Sequence, residues 1–316
     1  MLPFKAAVSS LLFCAVAGPA AAQIHVVFND PAASYTAYYT AYYTDLQRLT
    51  VAAGSAWTSH FAPMAPGGAL TVQISFAALA TSTGYSHVSA HVCTGGSGQF
   101  LYEQGAAHEW RTGVDANGAA PDIEISFGST GYLQDELWFD PNPLRRAGNV
   151  PADRTDAFSV LLHEWGHALG FNGWLDGSTG HGPATYGSTF DAFVAPQSGA
   201  AGTALYFLGP QAASVYGAAV PLTFGNYLHL GNSGARDGIS LIPDLMNGEV
   251  FHRGTRYEIS ALDLAMMADT GLPMAVGTVP EPGPAALLLA GLMTLAWVTR
   301  RRGGALKTVP LQLPHQ

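Results

Sequence analysis

The stretch TDAFSVLLHEWGHALGF, residues 155–171, constrains this chain more than any other. At 100° per residue Phe158, Leu161, Leu162, Trp165 and Leu169 share a face about 100° wide, which predicts an amphipathic helix packed on a core, with Thr155 or Asp153 as N-cap. His163 and His167 project from the opposite side, within about 40° of each other. An i, i+4 pair brings both imidazoles within reach of one ion, and Glu164 stands beside them. Neutral imidazole nitrogens bind Zn²⁺ at about 2.0–2.1 Å, and the ion lowers the pKa of its water from about 15.7 toward about 7. A neighbouring carboxylate can take the proton of that water and pass it to a leaving amine. His163 and His167 are therefore candidate ligands of one catalytic Zn²⁺, and Glu164 is the candidate general base and acid. A catalytic zinc also needs a third protein ligand and an open position.

The two ends are expected to serve targeting. Residues 1–22, with Lys5, a short apolar run and a small-residue exit at Ala20 to Ala22, read as a secretory signal peptide cut by signal peptidase. Near the other end, Pro280, Glu281 and Pro282 precede a mostly apolar segment, 283–299, and then Arg300, Arg301 and Arg302. This order of parts, within 279–303, resembles the PEP-CTERM sorting signal. The resemblance implies export in a Gram-negative bacterium and transient anchoring in the inner membrane. It further implies processing by an exosortase-type enzyme and a final place at the cell surface or outside it, with an exopolysaccharide matrix as a partner. Residues 304–316 form a short tail on the cytoplasmic side, a departure from signals that end soon after the arginines.

Between these ends, 23–278 reads as a metallopeptidase-like domain. It holds eight arginines, no lysine and 21 acidic residues, a formal charge of −13, which makes nucleic acid a poor partner. Cys93 is the one cysteine left after signal removal, so no disulfide within the chain is available and a lone buried thiol is expected.

IHVVFN, LTVQISFAAL and PDIEISFG have the apolar or alternating pattern of strands. The tandem YTAYYTAYYT opens a long helix whose rings pack on a sheet or lie in a groove. Glycine-rich loops follow, and ISALDLAMMADTG reads as a terminal helix capped by Ser260 and stopped by Gly271, with Met266 and Met267 in the core. The expected fold class is α+β. It comprises two lobes, with a twisted mixed sheet and the motif helix in the first and a loop-rich segment with a terminal helix in the second.

Gly170 and Gly173 extend the motif to HEWGHALGFNG, which resembles the metzincin signature HExxHxxGxxH. Gly170 takes the place of the glycine that ends the helix in a turn. The third histidine would fall on Gly173, which has no side chain. By residue chemistry alone His181, Asp176, Asp191, His229, Asp237, Asp244, Glu249 and His252 all remain candidates. His229 lies 62 residues beyond His167, and Met246 follows after 17 more, in the turn-forming sequence DLMNG. That arrangement resembles leishmanolysin-like metzincins, in which an insertion separates the motif from its third histidine and a methionine turn follows. The resemblance implies His229 as third ligand and Met246 as a floor beneath the metal. A gluzincin-like site would instead need a glutamate on a second helix, and no suitable segment follows.

The implied activity is metal-dependent hydrolysis of protein or peptide substrates. The alternative is a non-catalytic cell-surface or matrix protein that keeps a peptidase fold. The loops DANGAAPD and DGSTGHG are acidic enough to consider for calcium, but neither has EF-hand spacing and both read as solvated loops.

Overall fold

The computed structural model describes residues 24–29, 36–86, 90–93, 100–128, 131–146, 148–196, 204–231, 240–249 and 251–276. The signal peptide, Pro280, Glu281, Pro282, the apolar segment 283–299 and the tail lie outside them. No helix among the described residues is long and apolar enough to cross a membrane.

The alternating sequences become a sheet. β1 (Ile24–Asn29) is followed by helix α1 (Thr36–Thr58), and then by β2 (Leu70–Phe76) and β3 (Ser82–Ser86). β4 (Ala90–Cys93) and β5 (Phe100–Glu103) form an antiparallel pair. Helix α2 (Gly105–Thr112) then leads to β6 (Ile123–Phe127). The sheet order is β1-β2-β6-β3, with the first three strands parallel and β3 antiparallel at one edge. In β2 Leu70, Val72, Ile74 and Phe76 are buried, as are Ile123, Ile125 and Phe127 in β6, while Gln73, Ser75 and Glu124 take the other face. Period-two alternation thus puts one apolar face of the sheet into the core.

Thr155–Asp156 (β8) pairs in parallel with Leu137–Trp138 (β7) and leads directly into α3 (Ala157–Leu169), the motif helix. Asp156, not Thr155 or Asp153, is its N-cap. Thr155 instead lies in β8, and its hydroxyl donates to Glu136 Oε1 at 2.6 Å. The predicted apolar face of α3 is buried, but so is nearly all the rest, His163 being the half-buried exception. An amphipathic pattern predicts one wet face; here the later part of the chain covers that face.

α1 packs on α3 at a close crossing. Gly54, in the interior of a long helix where glycine is destabilising by about 1 kcal/mol relative to alanine, lies where a Cβ would fall 2.5 Å from Trp165. Trp57 Nε1 donates to the Leu162 carbonyl at 2.8 Å. The tyrosine repeat lies in α1; Tyr43 stacks on Phe28 at 4.2 Å and on Phe76 at 5.9 Å, so this ring packs on the sheet.

Beyond α3 come only short elements: β9 (Tyr186–Ser188), β10 (Val194–Pro196), β11 (Leu205–Phe207), α4 (Pro210–Tyr216), β12 (Val220–Pro221) and α5 (Ala261–Asp269). β10, β11 and β12 make a small antiparallel sheet. β9 pairs in parallel with β5, joining the segment after the motif helix to the segment before it. Instead of two separable lobes, the described elements through Ala275 belong to one unit. Ser260 and Asp263 form a capping box at the start of α5, and Met266 and Met267 are fully buried. The architecture is mixed α+β with several small sheets.

The edge strand reaches the motif helix through Gly84. A Cβ there would lie 2.6 Å from both the Cβ and the carbonyl oxygen of Glu164. Gly84→Ala is therefore expected to lower the unfolding free energy by about 1–3 kcal/mol in urea titration. An unchanged midpoint would contradict the close approach.

Candidate metal centre

α3 places His163 and His167 one turn apart, and the segment after β12 returns to set His229 against them. Their Nε2 atoms form a triangle with edges of 3.1, 3.0 and 2.9 Å. The ring planes of His163 and His167 stand 85° apart, and those of His163 and His229 21° apart.

The outer nitrogens fix which ring nitrogens of His163 and His167 carry protons. His163 Nδ1 lies 2.8 Å from the Leu245 carbonyl, and His167 Nδ1 lies 2.7 Å from the Phe171 carbonyl. A ring nitrogen facing a carbonyl carries the proton, so in the neutral rings both Nε2 atoms are bare lone pairs turned toward each other. At most, a proton on His229 could satisfy one edge, and the 163–167 edge has none. Three converging nitrogens with edges near those of a tetrahedral zinc site, about 3.3 Å for bonds of 2.0–2.1 Å, fit a single small cation. The carbonyl partners are the usual outer support of imidazole ligands.

Burial drives all three imidazoles toward neutrality. It pushes His163 down to about 3, helped by the charge of His167 and opposed by the Leu245 carbonyl. It pushes His167 down to about 4 against the Phe171 carbonyl, and His229 well below the ordinary histidine value. Protons therefore compete poorly for this site.

Glu164 is buried beside the triad. Its Oε1 accepts from Ser82 Oγ at 2.8 Å, and burial pushes its carboxyl up to about 7, opposed by that hydroxyl and by the Gly84 N–H. Tyr132, in a π-helical turn (Tyr132–Glu136), lines the same cleft. Burial raises its hydroxyl above the ordinary tyrosine value, with the charges of Glu164 and Glu136 adding to the effect and Ser82 opposing it, so the phenol stays protonated. The cleft has a volume of about 970 Å³, and β3, Tyr132, the triad and Phe251 form its walls.

Met246 lies under α3, fully buried, where a Cβ on Gly166 would be 2.5 Å from its Sδ. Its carbonyl accepts from Leu230 N, which couples the methionine turn to the residue after His229. Gly170 is the C-cap of α3, but not because of a left-handed backbone; its φ is −173°. What it supplies is space, since a Cβ would sit 2.7 Å from Met267 Sδ and 3.0 Å from Thr270 Oγ1. Gly173 is closed to any side chain, because a Cβ would fall 2.0 Å from Asp191 Oδ1.

The remaining candidates for third ligand are occupied elsewhere or exposed. Asp191 Oδ2 accepts from the N–H groups of Trp174 and Ser188, Asp176 Oδ1 from those of Ser178 and Thr179, and Asp244 Oδ1 from that of Met246. His181, Glu249 and His252 are exposed, and Asp237 lies outside the described residues. Ser82 and Tyr132 were not singled out from the sequence. No local pattern marks them, because Ser82 reaches Glu164, and Tyr132 reaches Ser82, only through the fold.

Compared with protein families, curated proteins and solved structures, the chain matches none.

Neutral ligands have a measurable consequence. At pH 6 three ordinary histidines would together hold about two protons, all released on metal binding. In Glu164→Gln, which removes the neighbouring carboxyl proton, Zn²⁺ binding at pH 6 should release almost none from the triad. Titration calorimetry in two buffers of different ionisation enthalpy reads the number, and release of about two protons would contradict a pre-assembled neutral site.

Proposed function

We propose that this chain is an exported zinc-dependent endopeptidase of the metzincin type, with Zn²⁺ held by His163, His167 and His229 and with Glu164 as general base and acid. The observation that carries this reading is the convergence of three neutral imidazole Nε2 atoms beside a buried carboxyl, in a cleft walled by the edge strand of a sheet. When bound, Zn²⁺ supplies Lewis acidity, activating a water and polarising a peptide carbonyl.

The protein's own groups prepare the rest. Among the described residues β3 pairs with β6 on one side, and its other edge faces the cleft, as the Gly84 N–H beside the Glu164 carboxyl indicates. Backbone groups on such an edge suit an extended peptide laid alongside, in the manner of an added strand. The Glu164 carboxyl, moved by burial into the range where it can accept and return a proton near neutrality, serves the attacking water and then the departing amine. The Ser82 hydroxyl holds that carboxyl in place. Met246 and Gly166 set the depth of α3 beneath the triad.

The same proposal takes a protein or peptide as substrate. It includes export, the sorting motif at Pro280 to Pro282 and a surface location, on the strength of the terminal sequences.

Three variants test the assignment. Glu164→Gln should retain one zinc per chain and lose at least about a hundredfold of peptide hydrolysis, the usual scale for a general base. His229→Ala should lose both zinc and hydrolysis, and His181→Ala should keep both. Zinc by elemental analysis and turnover of a fluorogenic peptide library are the readouts. Full zinc and activity in His229→Ala would overturn the ligand set. Undiminished turnover in Glu164→Gln would overturn Glu164 as the base, and zinc binding without any turnover in the parent chain would favour a non-catalytic surface protein.

A further inference from the structure

A second group of ionisable side chains lies where the last turn of α2 meets the starts of β2 and β6. Glu109 belongs to that turn, Asp115 to the loop after it, and Asp122 immediately precedes β6. One carboxylate oxygen from each lies within 4.8 Å of the other two.

These carboxylates are not merely a solvated cluster. Glu109 is 3% exposed and Asp122 4%. Glu109 Oε1 accepts from Ala69 N at 2.8 Å, while Oε2 is buried and, with the carboxylates ionised, has no donor. The carboxyl groups around Glu109 are those of Asp122, within hydrogen-bonding reach, and of Asp115. Asp122 Oδ2 accepts from Thr71 N at 2.7 Å. Asp115 Oδ1 accepts from Asn117 N at 3.0 Å and Gly118 N at 2.7 Å.

Nothing cationic answers them among the described residues. Arg111, two positions from Glu109, pairs with Glu103 instead. The C-terminal end of α2 adds its own negative partial charge. A buried carboxylate oxygen facing other carboxylates with no donor is destabilising until something positive arrives. Burial first, then a proton-sharing hydrogen bond with Asp122 and the charges of Asp122 and Asp115, push the Glu109 carboxyl up to about 7 against the Ala69 N–H, which is how the cluster responds when only protons are at hand.

We propose that Glu109, Asp115 and Asp122 form a calcium site that ties the end of α2 to the starts of β2 and β6. Three carboxylates offer hard oxygen donors and a charge of −3, against which a divalent ion leaves a small residual charge. The exposed side of Asp115 leaves room for the waters that complete a shell of about six to eight oxygens. The donor set has no nitrogen or sulfur, so its preference differs from that of the histidine triad. The loop DANGAAPD thus supplies two ligands at its ends, and the third comes from a helix before it.

The test uses the full chain in calcium-depleted buffer with micromolar Zn²⁺ present throughout. CaCl₂ at about 10 mM, above the about 0.1–1 mM dissociation constants of many extracellular calcium modules, should raise the thermal midpoint by about 5 °C. Asp115→Asn, at an exposed position that leaves folding intact, should weaken calcium binding at least tenfold by calorimetry. Glu109→Gln should lose the calcium-dependent shift, yet be no less stable than the parent without calcium, because it removes carboxylate repulsion. A parent midpoint that ignores calcium, or equal calcium affinity in Asp115→Asn, would overturn the site. Neither outcome bears on zinc or on hydrolysis, which are read separately.

Discussion

Three imidazole nitrogens converge inside the protein, those of His163 and His167 as facing lone pairs that repel, and the contacts around α3 hold them there. The Leu245 and Phe171 carbonyls orient the rings of His163 and His167, and Phe251 covers His163 at a ring distance of 5.2 Å. The arrangement is an electrostatic liability for the bare protein and an advantage for a cation, since no reorganisation remains to be done when the ion arrives. Glu164 belongs to the same logic. Its burial disfavours the charged form, and the Ser82 hydroxyl and Gly84 N–H restore part of what water would have provided.

This arrangement explains why α3 is buried almost all round. The helix receives α1 at Trp57 and Trp165, β3 at Gly84, and the methionine turn at Gly166, each contact depending on a tryptophan or on an absent side chain. Polar groups reinforce the entry to the helix. Asp156 accepts from Ser159 Oγ at 2.7 Å and pairs with Arg146 at 3.2 Å, and Ser159 Oγ accepts from Tyr257 N at 2.9 Å. Burial raises the Asp156 carboxyl above its ordinary value, with Ser159, Arg146 and Arg256 opposing. The start of α3 is thus tied to the segment that leads into α5.

Periodicity made β1, β2, β6 and the long helices legible in the sequence, whereas β3, β4, β5 and the short later strands carry too little pattern to mark them. The i, i+4 spacing likewise placed His163 and His167 on one side of α3. Residue chemistry could not choose His229 among eight candidates, since that choice depends on a return across 62 positions. The conflict between Gly173 and Asp191 was invisible for the same reason, and so were Ser82 and Tyr132. The N-cap shifted to Asp156 because Thr155 was drawn into β8, a tertiary pairing that local capping rules do not include. Gly170 was anticipated for its backbone freedom, whereas its use is the space it leaves for Met267 and Thr270.

The pairing of β9 with β5 gives the excursion between His167 and His229 a further meaning. The chain leaves α3, joins a strand laid down before the motif, builds the sheet of β10, β11 and β12, and only then brings His229 home. Contacts of such long sequence separation carry the entropic cost of closing a long loop. Without that return the chain presents two histidines on a helix and nothing more, so the three-nitrogen triangle exists only where the whole excursion is in place.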